Sequence, residues 1–402
     1  MRNLKLLLIF CLSFPAFSIA QLDFKYDDTA YKTIYAQDLC DFLHANPKTM
    51  LVDVRTKEEF LETTTPGNLN IGRLKGAVNI PIDQIEKNPN FFKNNPDSPI
   101  IFYCSHSQRS RRVSKLLANK GHKNVINLNG GLTLLTQTAD FPCQKEMIVS
   151  ALPYKNIGAD EALRLIANTK GLMILDTRDF LQFEGKDTVQ SQNIGRIKDA
   201  YSVPASRIQE YAEKLDTKKT YLIYDAYGNE SNNAAKYLSS NGYANVYHLL
   251  GGLAAIIGKD RETLRTRKQL LTETPAYTIL NGYEAINLLL SKKPVFVIDA
   301  RPAAEFQNKA KEQLQNLGHV KNAVNISRST LNAQKEELQK HKNETIVVYG
   351  SDAASIAAEL KKMGFENVNL VFVGLWEIVS ATHNIKSLKQ AKSILVDHEG
   401  LY

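Results

Sequence analysis

The chain repeats itself three times, and no other feature restricts its fold as much. Tyr31-Lys32-Thr33-Ile34, Tyr154-Lys155-Asn156-Ile157 and Tyr277-Thr278-Ile279 open three copies at an interval of about 123 residues. Each opening leads into a stretch with helical spacing of apolar residues, then an apolar strand ending in Asp-x-Arg. These ends are Asp53 and Arg55, Asp176 and Arg178, Asp299 and Arg301. A later strand follows in each: Gly76-Ala77-Val78-Asn79-Ile80, Asp199-Ala200-Tyr201-Ser202-Val203 and Asn322-Ala323-Val324-Asn325-Ile326. The copies close at Gly130-Gly131-Leu132, Gly251-Gly252-Leu253 and Val373-Gly374-Leu375. An interval this long suits three whole domains rather than a solenoid. Strands alternating with helices predict an α/β fold, each domain a mostly parallel sheet with helices on both faces. The domains read as residues 31–142, 154–258 and 277–386. Polar linkers run over Phe141 to Leu152 and Gly258 to Pro275. The second linker, with Lys259, Arg261, Arg265, Arg267 and Lys268, reads as a solvated helix.

The first copy holds the segment with reactive chemistry, Ile100-Ile101-Phe102-Tyr103-Cys104-Ser105-His106-Ser107-Gln108-Arg109-Ser110. An apolar run ends in a cysteine, and a polar loop leads to a helical pattern over Arg111 to Lys120. Strand, loop and helix N-terminus in that order turn backbone N–H groups inward, toward an anion. Such a field favours thiolate, the reactive form of a thiol. Ligands of these sheets bind beyond the carboxyl ends of the strands, where Cys104 falls. Cys104 is therefore the candidate nucleophile, with Ser105, His106, Ser107, Gln108, Arg109 and Ser110 as candidate substrate-binding residues around it. Arg109 brings a permanent charge, Ser110 is expected to cap the following helix, and His106 is expected at the rim.

The other two loops differ. The second keeps its length, but Asp225 stands for the cysteine and Glu230 for the arginine, so two carboxylates are expected to face a cradle built for anions. The third, Tyr349-Gly350-Ser351-Asp352-Ala353-Ala354-Ser355, is shorter by about three residues, with neither thiol nor basic closure.

The first loop resembles the active loop of the rhodanese family of sulfurtransferases, whose pattern is Cys, two residues, usually Gly, one residue, Arg, Ser. Ser107 stands at the Gly position. Leu51-Val52-Asp53-Val54-Arg55 with Glu58-Glu59-Phe60 is similar to the family's first-strand signature. Gly72-Arg73-Leu74-Lys75-Gly76-Ala77-Val78-Asn79-Ile80-Pro81 is similar to the next, with Arg73 where His is common. Asn124-Val125-Ile126-Asn127-Leu128-Asn129-Gly130-Gly131-Leu132 is similar to the closing strand and turn.

The resemblance implies sulfane-sulfur transfer from a small anionic donor to a thiol or cyanide, through a persulfide on Cys104, with no cofactor and no metal. Related phosphatases place five residues between cysteine and arginine, and here there are four, Ser105 to Gln108. The smaller ring suits one sulfur atom better than a phosphoryl group. The alternative is a non-catalytic repeat protein, a scaffold or persulfide carrier whose altered copies dock a protein partner.

Residues Met1 to Ala20 read as a secretory signal: Arg2 and Lys5, a short apolar core from Leu6 to Phe17, then Ser18-Ile19-Ala20. That predicts export to the periplasm or the outside, with no membrane span after signal removal. Phe10 before Cys11 argues against a lipoprotein. The formal charge of +8 falls to +6 without Arg2 and Lys5, which suits small anions, and no basic-aromatic pattern points to nucleic acid. Three of the four cysteines then remain, an odd count that flags a free thiol. Cys40 reads as buried packing, and Cys143 as an inert linker residue, a resolving thiol for Cys104 or a pair for Cys40.

Overall fold

The computed structural model describes residues 31–65, 67–92, 98–137, 144–259, 263–312, 315–384, 391 and 393–397. The expected signal segment, Cys11 and Cys143 lie outside the described residues.

Among the described residues, three five-stranded parallel sheets form the framework, each accompanied by a two-stranded antiparallel one. In the first, the order is Lys32–Ile34, Val125–Leu128, Ile100–Tyr103, Met50–Asp53, Val78–Asn79. The second repeats it with Lys155–Ile157, Asn245–Leu249, Thr220–Tyr224, Met173–Asp176 and Tyr201–Ser202. The third does so with Thr278–Leu280, Val368–Val371, Thr345–Tyr349, Val295–Asp299 and Val324–Asn325. The central strands Ile100–Tyr103 and Tyr221–Tyr224 are wholly buried, as sheets covered on both faces require. Two hydrophobic clusters per copy, one on each side of the sheet, form the cores.

The repeated Asp-x-Arg is a buried ion pair that ties strand to loop. Arg55, fully buried, donates to both Asp53 oxygens and to the Gly72 carbonyl at 2.7 Å. Arg178 does the same with Asp176 and Gly195, and Arg301 with Asp299 and Gly318. Charges this deep survive only when paired and hydrogen-bonded. A second repeated pin joins the loop-bearing strand to a short strand outside its own sheet. The Leu74, Ile197 and Val320 N–H groups donate to the hydroxyls of Tyr103, Tyr224 and Tyr349 at 3.0 to 3.1 Å.

Consecutive copies pack head to tail through equivalent residues. Leu250, in the turn after the closing strand of the second copy, is buried in a core cluster of the first. Phe372 holds the same turn position in the third copy and is buried in a cluster of the second. The first copy has Asn129 there, where Arg111 Nη2 donates to its Oδ1 at 2.6 Å. The joint position is thus apolar in the second and third copies, where it enters the core of the copy before, and a buried, hydrogen-bonded asparagine in the first. Asn68 to Asn229 Oδ1 at 3.0 Å and Asn156 to the Asn70 carbonyl at 2.9 Å complete the first joint. An added Cβ at Gly158 would lie 2.4 Å from the Thr136 carbonyl, so this approach needs glycine.

Two expectations are corrected here. The second linker is not a solvated helix: after helix Thr263–Leu270, Leu271–Thr272 pairs with Arg196–Ile197. Arg267 is buried, donating to both Glu284 oxygens. Its charge is neutralised, which lets it enter the joint between the second and third copies. Cys40 is not simple packing: it is buried and disulfide-bonded, while Cys104 is a free thiol.

Candidate active site

The strand Ile100–Tyr103 delivers Cys104 to the floor of the loop, where it is 1% exposed. The turn after the neighbouring strand clamps the loop base. Leu132 N–H donates to the Cys104 carbonyl and Thr133 N–H to the Ser105 carbonyl, both at 3.0 Å. Gly131 has φ +58, and an added Cβ would lie 2.3 Å from the Cys104 carbonyl oxygen. Only glycine fits so close to the backbone that carries the thiol.

Ser107 adopts φ +77, which explains why the family pattern favours glycine at its position. A non-glycine residue there carries a cost of about 1–2 kcal/mol. Its buried hydroxyl offsets this by donating to the Leu128 carbonyl at 3.0 Å and sharing hydrogen bonds with Asn127. The helix begins at Gln108, three residues before the expected start, with Ser107 as its N-cap residue. Ser110 is therefore not the cap. It lies in the first turn, donates to Asn127 Oδ1 at 2.7 Å, and stands 3.8 Å from Cys104 Sγ. The early start arises because the left-handed Ser107 turns the chain straight into the helix.

Arg109 is paired with a carboxylate from outside the loop. Its Nη1 and Nη2 donate to the two Glu59 oxygens at 2.5 and 2.7 Å, and Nη2 also reaches Ser105 Oγ at 3.2 Å. Glu59 is 2% exposed and also closes a capping box with Thr56. Burial alone would raise its pKa, but the Arg109 hydrogen bonds, the Thr56 N–H and nearby Arg charge hold it below the ordinary carboxylate range. Those hydrogen bonds in turn raise Arg109. His106 stands at the exposed rim, where partial loss of solvent and then the Arg109 charge push its pKa down. Of the expected residues, Cys104, Ser105, Ser107, Arg109 and Ser110 converge, while His106 and Gln108 are exposed. Sequence reasoning placed neither Glu59 nor Asn127 in the site. The Glu58-Glu59-Phe60 run was legible as a motif, but its contact with a residue 50 positions away was not.

The second loop displays the cradle directly. Asp225 ends the equivalent strand, and its carboxylate accepts from the backbone N–H groups of Tyr227 at 2.8 Å, Glu230 at 2.6 Å and Ser231 at 2.9 Å, and from Gly228. Gly228, with φ +76, corresponds to Ser107. The expectation that two carboxylates face this cradle is corrected: Asp225 is 7% exposed and fills it, and Glu230 is exposed. An internal carboxylate satisfies the donors that would otherwise be orphaned at the helix start. The N–H groups at the corresponding positions of the first loop are those of His106, Ser107, Arg109 and Ser110, at the same intervals after Cys104. In the third copy the helix starts at Ala353, with Gly350 at φ +115 closing the shortened loop.

The family described as Rhodanese-like domain matches residues 36–137, 158–259 and 283–379. The uncharacterized protein YqhL of Bacillus subtilis (strain 168) is 31% identical over 131 residues, 33% of this chain and 90% of that protein. Thiosulfate sulfurtransferase GlpE of Coxiella burnetii (strain RSA 331 / Henzerling II) is 32% identical over 99 residues, 25% of this chain and 83% of that protein. The crystal structure of a thiosulfate sulfurtransferase from Pseudomonas aeruginosa aligns with 85% of this chain and 66% of its own, at 17% identity and a TM-score of 0.23.

Proposed function

The chain belongs to the rhodanese-like family of sulfurtransferases, and we propose that its first copy transfers sulfane sulfur through a persulfide on Cys104. The donor is a thiosulfate-like anion. Thiolate Cys104 attacks the outer sulfur, a Cys–S bond forms, and the donor's S–S bond breaks with its electron pair leaving on sulfite. An acceptor thiolate or cyanide then attacks the outer persulfide sulfur and returns Cys104 as thiolate. Transfer is two-step covalent catalysis without an external oxidant or reductant. Loop N–H groups hold the terminal sulfur and the charge it develops. The observation that carries this reading is the Asp225 carboxylate bound by four loop N–H groups, an anion in the same cradle one copy along.

The second and third copies lack a thiol at this position and act as packing domains, each seated on the copy before it. We also propose export. The signal architecture of Met1 to Ala20 supports it, and so does the disulfide at Cys40, because such bonds persist in oxidising compartments. Incubation of the full chain with thiosulfate, followed by peptide mass measurement, tests the reaction. One sulfur is expected on the Cys104 peptide and none in Cys104→Ser. A wild-type chain that never gains sulfur leaves the non-catalytic scaffold as the better account.

A further inference from the structure

We propose that Glu59 is a positioning residue for sulfur transfer: it fixes Arg109 against the loop and so sets how the donor anion is met. This rests on the reading of Cys104 as the sulfur carrier. Glu59 sits on the helix Lys57–Leu61, behind the loop rather than in it. Its carboxylate spans the guanidinium at 2.5 and 2.7 Å, a fork-to-fork contact that sets the plane of Arg109 as well as its place. The same carboxylate accepts from Thr56 N–H at 3.0 Å, and Thr56 Oγ1 accepts from Glu59 N–H at 3.2 Å. Glu59 is therefore held from its own helix end as well as by Arg109. From that anchor the guanidinium reaches Ser105 Oγ at 3.2 Å, beside the thiol-bearing residue.

The chain supplies its own comparison. In the second copy Gln182 follows Asp176 at the interval by which Glu59 follows Asp53, and Glu230 replaces the arginine. Carboxylate and guanidinium have gone together, and a retained carboxylate there would have met Glu230 as a like charge. In the third copy Glu305 remains at that interval while the loop has lost its arginine. Burial then raises the Glu305 pKa, with Arg301 opposing only in part. Glu59 is the reverse case, its ionised form stabilised by a partner that belongs to the loop. Carboxylate and arginine are thus lost together in the second copy but not in the third, so the contact geometry in the first copy, rather than the pattern across copies, carries the assignment.

The test is a double-mutant cycle on the full chain, reading the rate of sulfur loading on Cys104 against thiosulfate concentration. Glu59→Gln keeps the side-chain shape and an acceptor for Thr56 but loses the ion pair. It is expected to lower the loading efficiency by about 10–100-fold, the range for a misplaced site group. The loss should fall on the concentration dependence as well as the limiting rate, because Arg109 meets the donor. In an Arg109→Ala background the same change should cost no more than about twofold, because interaction terms vanish once the partner is absent. Glu59→Asp, which keeps the charge, should recover part of the loss and covers the case in which Glu59→Gln folds poorly. Unchanged loading in Glu59→Gln, or an equal loss with and without Arg109, overturns the proposal while leaving Cys104 as carrier. A wild-type chain that takes up no sulfur overturns both.

Discussion

Asp225 and Cys104 directly follow equivalent strands, and the Asp225 carboxylate is bound by backbone N–H groups at the same sequence intervals as those of the loop that follows the thiol. One loop geometry thus holds a permanent internal anion in one copy and a nucleophile in another. The second copy keeps the fold of a site while its own side chain satisfies the donors.

Removal of that internal anion should be felt as lost stability. Asp225→Ala leaves the N–H groups of Tyr227, Gly228, Glu230 and Ser231 without their acceptor. A cost of about 2–4 kcal/mol is expected, less than four charge-assisted bonds because water enters the space. Asp225→Asn, which keeps one acceptor oxygen, should cost less. Urea unfolding of the full chain with each variant checks the order.

A second prediction concerns acid. His248 is buried between Asn156 Oδ1 at 2.8 Å and Ser231 Oγ at 2.9 Å, and burial lowers its pKa from 6.5 to about 4. The geometry suits the neutral ring, one nitrogen donating to the amide oxygen and the other accepting from the hydroxyl. The unfolded chain takes up this proton first, so stability is full above about pH 6.5 and falls as the pH drops toward 4. The loss is about 3 kcal/mol over that window. His248→Gln should flatten this part of the pH–stability curve. An unchanged slope would mean that other groups carry it.

A third concerns the joints. Leu250 and Phe372 each leave their own copy to fill the core of the one before. Leu250→Ala should cost about 2–5 kcal/mol and Phe372→Ala about 3–5 kcal/mol. Both should separate the unfolding transitions of adjacent copies, because the lost contact is the one that couples them. Differential scanning calorimetry should resolve the change. The first copy includes Leu250 in its core, so its excision as a fragment near residue 146 should lower its stability as well.

The fold was legible because the sequence says everything three times: the Asp-x-Arg ends, the closing turns and the alternation of elements all recur in register. Cys104 and its loop were legible because neighbours in sequence are neighbours in space there. What escaped reading was contact between distant segments. Glu59 reaches Arg109 across 50 positions, and Leu250 reaches back into another copy's core. The reversed role of Asp225 escaped for another reason: its charge suggests repulsion, and only the directions of four N–H groups show that it is the bound anion. The basic linker was misjudged because pairing with Glu284 lets Arg267 be buried, while Cys40 is buried as read but also disulfide-bonded, which its local helical pattern does not show.

The last prediction is a reconversion of the second loop, judged in a Cys104→Ser background so that the first copy is silent. Asp225→Cys alone empties the cradle and supplies a thiol, but Glu230 remains at the exposed rim, and an approaching thiosulfate dianion meets like charge there. Little sulfur uptake is expected. Asp225→Cys with Glu230→Arg should do better, yet the new guanidinium would face Gln182, which cannot hold it as Glu59 holds Arg109. Adding Gln182→Glu supplies the missing anchor, and this triple variant should take up sulfur fastest of the three. The loop itself needs no rebuilding, because Gly228 already has the left-handed turn that Ser107 adopts at a cost. The third copy should fail even with cysteine and arginine introduced, since its helix begins three residues after Gly350 and leaves no ring of N–H groups. Sulfur uptake by the double variant equal to that by the triple would show that the carboxylate anchor is dispensable in this frame. Uptake by none of them would show that more than these three side chains separates a filled cradle from a reactive one.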